Sequence, residues 1–273
     1  MKSINTIVSD IYELLASGSF QIDADRLASM LARRFAESKT SNTLRMSNFG
    51  TPCERKLWYS VNRPETAEPL PPEARLKFLI GDIIEEVVLT LARQAGHDVE
   101  GEQDRLELHG VPGHRDAIID GVTVDVKSAN ARSFQKFRNH ELGTNDPFGY
   151  IRQLSLYVRS SEEDERVRVK SEGAFLAVDK ELGHIVLDKY SFPDKDWEKE
   201  IEAKKIMLAS PQPPPRHYMP EPDGKSGNMK LCMECTYCPH KKECWPGVKG
   251  YAYANKPTWL TTVKREPDVP RIM

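Results

Sequence analysis

The chain has 273 residues, of which 39% are hydrophobic and 29% charged, and a formal charge of -2. That is enough for one large core or two modest ones, and it excludes a uniformly basic nucleic-acid coat while leaving room for a local basic cleft. No apolar run reaches the ~18 residues of a membrane span, and MKSINTIVSDIYELL lacks the short apolar core and cleavage site of an export signal, so a cytoplasmic protein is expected.

Two short amphipathic helices are expected over 3–16 and 24–37, broken at Gly18 and Ser19, with Asp23 capping the second. Residues 1–45 read as an N-terminal helical appendage. After the isolated Cys53 and the Pro-rich PETAEPLPP, the positions Leu76, Leu79, Ile80, Ile83, Ile84, Val87, Val88 and Leu91 recur at helical spacing over 73–95. Strands are expected at 105–109, 113–119 and 122–127, followed by a basic stretch and a helix at 147–160. Strands at 172–179 and 184–190, joined by a turn at 181–183, precede a helix at 194–209. Residues 211–228, PQPPPRHYMPEPDGKSGN, form a connector that cannot continue that helix, and 246–273 are expected to be an irregular tail.

The stretch GHRDAIIDGVTVDVKS carries the first chemistry. Asp120 and Gly121 are the favoured pair for a two-residue type I′ hairpin turn, and counting from it pairs Ile119 with Val122, Ile118 with Thr123, Ala117 with Val124, and Asp116 with Asp125. Alternation sends Val122, Val124 and Val126 into a core, and Thr123, Asp125 and Lys127 to a polar face, with His114 opposite Lys127. Facing acids repel, so a cation is expected between them. Two carboxylates, a backbone carbonyl and waters suit Mg²⁺ or Mn²⁺, and Lys127 can hold the attacking water.

Further along, Gln153 and Tyr157 in YIRQLSLY lie at i and i+4, on one helix face, where an amide and a phenol can reach the same point. In ARSFQKFRNH, the cations Arg132, Lys136 and Arg138 interleave with Phe134 and Phe137, a pattern suited to a single strand of DNA or, equally, to an amphipathic segment with core phenylalanines. Five cysteines, four of them within 232–244, argue for a metal rather than a disulfide framework. Four thiolates suit a [4Fe–4S] cluster or Zn²⁺, and the fourth ligand beside Cys235, Cys238 and Cys244 is either Cys53 or Cys232.

Asp116, then Asp125-x-Lys127, then Gln153-x3-Tyr157, resembles the catalytic core of RecB-like PD-(D/E)xK nucleases. Cys53 with Cys235-x2-Cys238-x5-Cys244 resembles the iron-sulfur staple of the AddB and CRISPR-associated RecB-like nucleases, including phage-encoded exonucleases. The resemblance spans residues 46–245, taken as the nuclease domain. It implies an α/β, restriction-endonuclease-like core, a central mixed β-sheet flanked by helices, with the staple joining its N- and C-terminal parts. It also implies Glu85 of GDIIEEVVL as a further metal ligand beside Asp116, Asp125 and the Val126 carbonyl, with Glu86 as its competitor for that role. The function implied is metal-dependent DNA exonuclease action in replication, recombination or processing, with proteins of those pathways as partners and, for a phage-encoded form, the host cytoplasm as its place. A non-catalytic or CRISPR-type subunit, or a zinc-stabilised binding module, is the alternative. There is no G-x-x-x-x-G-K-[ST] phosphate loop, so no helicase activity is expected.

Overall fold

A computed structural model describes residues 2–36, 42–254 and 256–272. In chain order, α1 (Ile7–Ser17), α2 (Ala24–Ala36), α3 (Met46–Phe49), α4 (Glu54–Asn62) and α5 (Pro72–Gln94) come first. They are followed by β1 (Val99–Glu100), β2 (Arg105–Leu108), β3 (Val111–His114), β4 (Ala117–Ile119) and β5 (Val122–Ala129). Next come α6 (Ala131–Arg138), α7 (Tyr150–Ser160), β6 (Glu172–Asp179), β7 (Ile185–Ser191) and α8 (Trp197–Ala209). The remainder holds β8 (Glu221–Pro222), β9 (Met229–Lys230), α9 (Met233–Thr236), α10 (Lys241–Cys244), β10 (Lys249–Ala252), β11 (Pro257–Thr262) and β12 (Arg271–Ile272). Among the described residues, no helix is long and apolar enough to cross a membrane.

The chain divides into two units, one made of 1–50 and 71–201, the other of 51–70 and 202–273. The first unit is a mixed sheet in the order β1-β4-β5-β6-β7, with β5 and β6 parallel and the other neighbours antiparallel. A parallel pair needs a crossover, which α6 and α7 supply. Alternation along the strands then builds two cores. Val122, Val124 and Val126 of β5 join Ala174 and Leu176 of β6 in one cluster with α1 and α5, while Phe175 and Ala177 face Phe134, Phe137 and Leu154 on the other side. Ile7 and Ile11 of α1 are fully buried in the first cluster, so the segment expected as an appendage supplies part of the core. Asp23 caps α2 as expected, accepting the Arg26 N–H at 2.9 Å. The N-terminal half of α5 differs from its apolar pattern: Leu76, Phe78 and Ile80 are exposed, and burial begins at Val88.

The second unit contains an antiparallel sheet in the order β12-β10-β11-β9-β8, centred on the buried Tyr251, Trp259 and Leu260. Residues 246–273, expected to be irregular, thus contribute three of its strands. Segment 51–70 is tied to the cysteine-rich region by His240, which lies 3.1 Å from Ser60 Oγ and 3.0 Å from Thr66 Oγ1 and stacks on Tyr59. Glu68 adds an ion pair to Lys241 and a backbone bond to Pro239 O.

Candidate active site

The site forms where β4 gives out. The hairpin register is as counted from the turn for Ile119, Ile118 and Ala117, with Asp120 at φ 50° and Gly121 at φ 79°, both left-handed as a type I′ turn requires. The fourth pair does not form. The expected strand at 113–119 is two strands, because β3 pairs back on β2 through a turn at His109 and Gly110, and the chain breaks at Arg115 and Asp116. Asp116 Oδ2 instead accepts the Val126 N–H at 2.7 Å, taking the place of a ladder partner. His114 is likewise not opposite Lys127; it pairs with Arg105.

The break is fixed by Arg115, whose side chain is fully buried. Its guanidinium reaches Asp164 Oδ2 at 2.5 Å, Asp104 Oδ2 at 2.9 Å and Ser161 Oγ at 3.0 Å. Arg166 backs the same two carboxylates at 2.6 and 2.8 Å. A buried charge persists only when it is paired and hydrogen-bonded in this way.

Asp125 and Lys127 lie on the β5 face covered by α7 rather than on a solvated polar face. Asp125 is 1% exposed and Thr123 is fully buried. Lys127 Nζ sits 2.5 Å from Asp125 Oδ2 and 4.7 Å from the centre of the Tyr150 ring. From one turn further along α7, the Gln153 amide donates to Tyr157 Oη at 2.8 Å and reaches Asp125 Oδ1 at 3.4 Å. The i, i+4 pair therefore meets the hairpin acid.

Glu85 approaches Asp116 through a residue that sequence reasoning missed. The Gln103 side chain donates to Glu85 Oε1 at 2.6 Å and to Asp116 Oδ1 at 3.4 Å, and the Gln103 N–H donates to Asp116 O at 3.2 Å. Gln103 holds φ 55°, unusual for a residue with a Cβ, and nothing in the linear pattern announces it. Glu86, the neighbour of Glu85, pairs with Arg26. A cavity of about 120 Å³ lined by Asp82, Glu85, Glu86, Glu102 and Gln103 opens beside this cluster.

The electrostatics follow from crowding. Burial, then the neighbouring Asp125 and Glu85, push the Asp116 carboxyl well above the usual carboxylate range, against the pull of Lys127. Burial opposes the charge on Lys127, but Asp125 and Asp116 outweigh it and hold the amine above its ordinary value, as a cation. Burial and the same carboxylates raise the Tyr157 phenol, which stays protonated.

Of the residues in the basic stretch, Phe134 and Phe137 are buried in the core of α6 and β6, at 1% and 3% exposure, so neither is free to stack on a base. Arg132 and Arg138 are exposed, and Lys136 Nζ bonds Asn145 Oδ1 at 2.9 Å. In the second unit, Cys53, Cys235, Cys238 and Cys244 line one cavity with Tyr59, Tyr218 and His240, whereas Cys232 does not line it. Burial raises the Cys235 and Cys238 thiols above their ordinary values.

Among the described residues, no three His, Cys, Asp or Glu side chains stand together in a geometry that holds a metal ion. The donor chemistry of the acidic site nevertheless fits a hard divalent cation. Asp125 Oδ2 is buried with no well-formed hydrogen bond although Lys127 Nζ is close, and the Asp125 and Glu85 carboxylates both act on the Asp116 carboxyl. Val126 turns its N–H toward Asp116, and the carbonyl of the same strand residue points to the same side. The thiol-lined cavity likewise offers the four sulfurs that an iron-sulfur cluster or zinc takes.

No protein-family model and no curated protein matches the chain. The solved structures it is similar to include the following two. One is the crystal structure of SSO0001, at 15% identity and TM-score 0.40, over 80% of this chain and 94% of that one. The other is an alkaline exonuclease, LHK-Exo, from Laribacter hongkongensis, at 14% identity and TM-score 0.38, over 66% of this chain and 92% of that one.

Proposed function

We propose that the chain is a RecB-like PD-(D/E)xK nuclease that hydrolyses phosphodiester bonds of DNA with Mg²⁺ or Mn²⁺, acting as an exonuclease. The observation that supports this reading most is the meeting of Asp116, Asp125, Lys127, Gln153 and Tyr157 with Glu85 at the end of β4. These residues come from the break before β4, from β5 and from two helices, and local structure alone gives no reason for them to converge.

Glu85, Asp116, Asp125 and the Val126 carbonyl would hold the metal ion, which when bound polarises the phosphoryl oxygen and neutralises developing charge. The chain's own groups do the rest. Lys127, a cation fixed against Asp125, donates a hydrogen bond that orients the attacking water and faces the charge growing on the phosphate. Gln153, tied to Tyr157 and Asp125, holds the other side of the water, and the Tyr157 phenol donates to the strand backbone. The water oxygen forms a bond to phosphorus as the bond to the leaving oxygen breaks; the attacking water gives up one proton to solvent and the leaving oxygen takes one up from solvent. α7 covers the site and keeps Asp125 from bulk water, which strengthens each of these interactions.

The cavity in the second unit is proposed to hold a [4Fe–4S] cluster on Cys53, Cys235, Cys238 and Cys244, the four cysteines that line it. Digestion of end-labelled linear DNA and of circular DNA, with and without divalent metal, tests the activity. Metal-dependent loss of the linear substrate alone is the expected result, and no cleavage of either by folded, metal-loaded protein would refute it.

A further inference from the structure

The aromatic surface beside the basic stretch is Phe148, not the two phenylalanines within it. Phe134 and Phe137 are in the core, yet Phe148, on the loop before α7, is 60% exposed. Its ring stacks on Tyr150 with centroids 5.3 Å apart and planes 27° apart, and Lys127 Nζ lies 4.7 Å over the Tyr150 ring. Tyr150 in turn stacks on the buried Phe137. A continuous aromatic column thus rises from the core, passes Lys127 and ends in an uncovered ring.

A single exposed phenylalanine needs no explanation by itself. This one is held still. Asp146 accepts the N–H groups of Phe148, Gly149 and Ile151 at 3.3, 2.9 and 2.8 Å. Gly149 sits at φ 77° with its backbone wedged on Gly50, where an added Cβ would lie 2.2 Å from Gly50 O. Lys136 pins the same loop at Asn145 and adds a cation beside it. A pre-fixed ring loses little freedom when something stacks on it.

Resting on the nuclease reading above, we infer that Phe148, stacked on Tyr150, is a platform for one unpaired nucleobase of the substrate strand adjoining the phosphate at Lys127. The two short steps from ammonium to exposed ring match a strand whose phosphate is at the lysine and whose neighbouring base is splayed onto an aromatic face. Such stacking tolerates any base, because each has a π-face, and it requires a strand that is single at that point. Tyr150 contributes as a positioning residue, fixing the angle of the Phe148 ring.

The test uses the full chain and a single-stranded oligonucleotide carrying one 2-aminopurine, bound in EDTA so that no cleavage occurs. Phe148→Ala is expected to bind roughly ten-fold or more weakly than the wild type and to lose the quenching of the probe, since one base stack contributes on that order. Phe148→Trp is expected to restore both. Equal affinity and equal quenching in the wild type and Phe148→Ala would overturn the platform while leaving the nuclease reading intact if both cleave DNA. A wild-type protein that neither binds nor cleaves would overturn the two together. Circular dichroism of Phe148→Ala, expected to match the wild type, separates lost stacking from lost fold.

Discussion

At Lys127 and Asp116 two charged side chains share one small space and are asked for opposite things. Lys127 is kept charged by its carboxylate neighbours, so Lys127→Ala should leave DNA binding largely in place while cleavage falls by about 10²- to 10⁴-fold. Single-turnover rates at saturating enzyme read this directly, and a normal rate would remove Lys127 from the chemistry. Ionising Asp116 in the fold is costly, because burial and two other acids raise its carboxyl above the unfolded value. A folded pKa raised above the unfolded one means that stability falls as pH rises between the two. Asp116→Asn, which keeps the acceptor for the Val126 N–H, is therefore expected to raise the melting temperature of the metal-free protein at neutral pH while abolishing activity. The gain should shrink as pH is lowered into the carboxylate range, and a lower melting temperature at neutral pH would count against it. Most site residues were legible in the sequence because each belongs to a spaced motif. Gln103 was not, since a left-handed glutamine in a turn leaves no periodic trace.

Among the elements, the β4–β5 hairpin shows both what pattern can fix and where it stops. Asp120 and Gly121 set the register of three pairs correctly, and Val122, Val124 and Val126 face the core as alternation requires. The break before Ala117 was hidden, because it depends on Arg115 finding Asp104, 11 residues upstream, and Asp164, 49 downstream. Removing one partner of a buried ion network leaves charge uncompensated, so Arg115→Ala should destabilise the fold by about 3 to 5 kcal/mol in urea titrations, and a change below about 1 kcal/mol would show the break to be fixed otherwise. Asp164 and Asp104 are both held below the usual carboxylate range, chiefly by Arg166 and Arg115, with burial of Asp104 opposing. Their contribution is present above the unfolded pKa and is lost as pH falls through the folded one. The wild type should thus lose more stability than Arg115→Ala on acidification below about pH 4. The basic stretch shows a different limit. Helical spacing placed Phe134 and Phe137 together with the cations, but only the packing of α6 on β6 says that the rings face inward.

On the scale of the whole molecule, each of the two units carries one cluster whose members lie far apart in sequence. The cysteine pattern showed that thiols gather, yet left Cys53 and Cys232 as rivals, because linear spacing cannot bring residue 53 to residue 235. Folding does so through His240, Glu68 and their partners in segment 51–70. Cys53→Ser should therefore lose iron and acid-labile sulfide from anaerobically purified protein, while Cys232→Ser should keep most of both. Zinc in place of iron, or the reverse ranking of the two variants, would reassign the site. The core of the first unit was legible as strands and helices, whereas the role of α1 in closing it was not, since an amphipathic helix near a chain end reads the same whether it packs or projects. The claim on which the account turns is that the Asp116, Asp125 and Lys127 edge cuts DNA. It is tested most directly by incubating end-labelled linear DNA with Mg²⁺ or Mn²⁺ and either the wild type or Lys127→Ala. The account expects progressive loss of label with the wild type and metal, none in EDTA, and a rate at least about 10²-fold lower for the variant; equal rates for the two proteins, or none for the metal-loaded wild type, would contradict it.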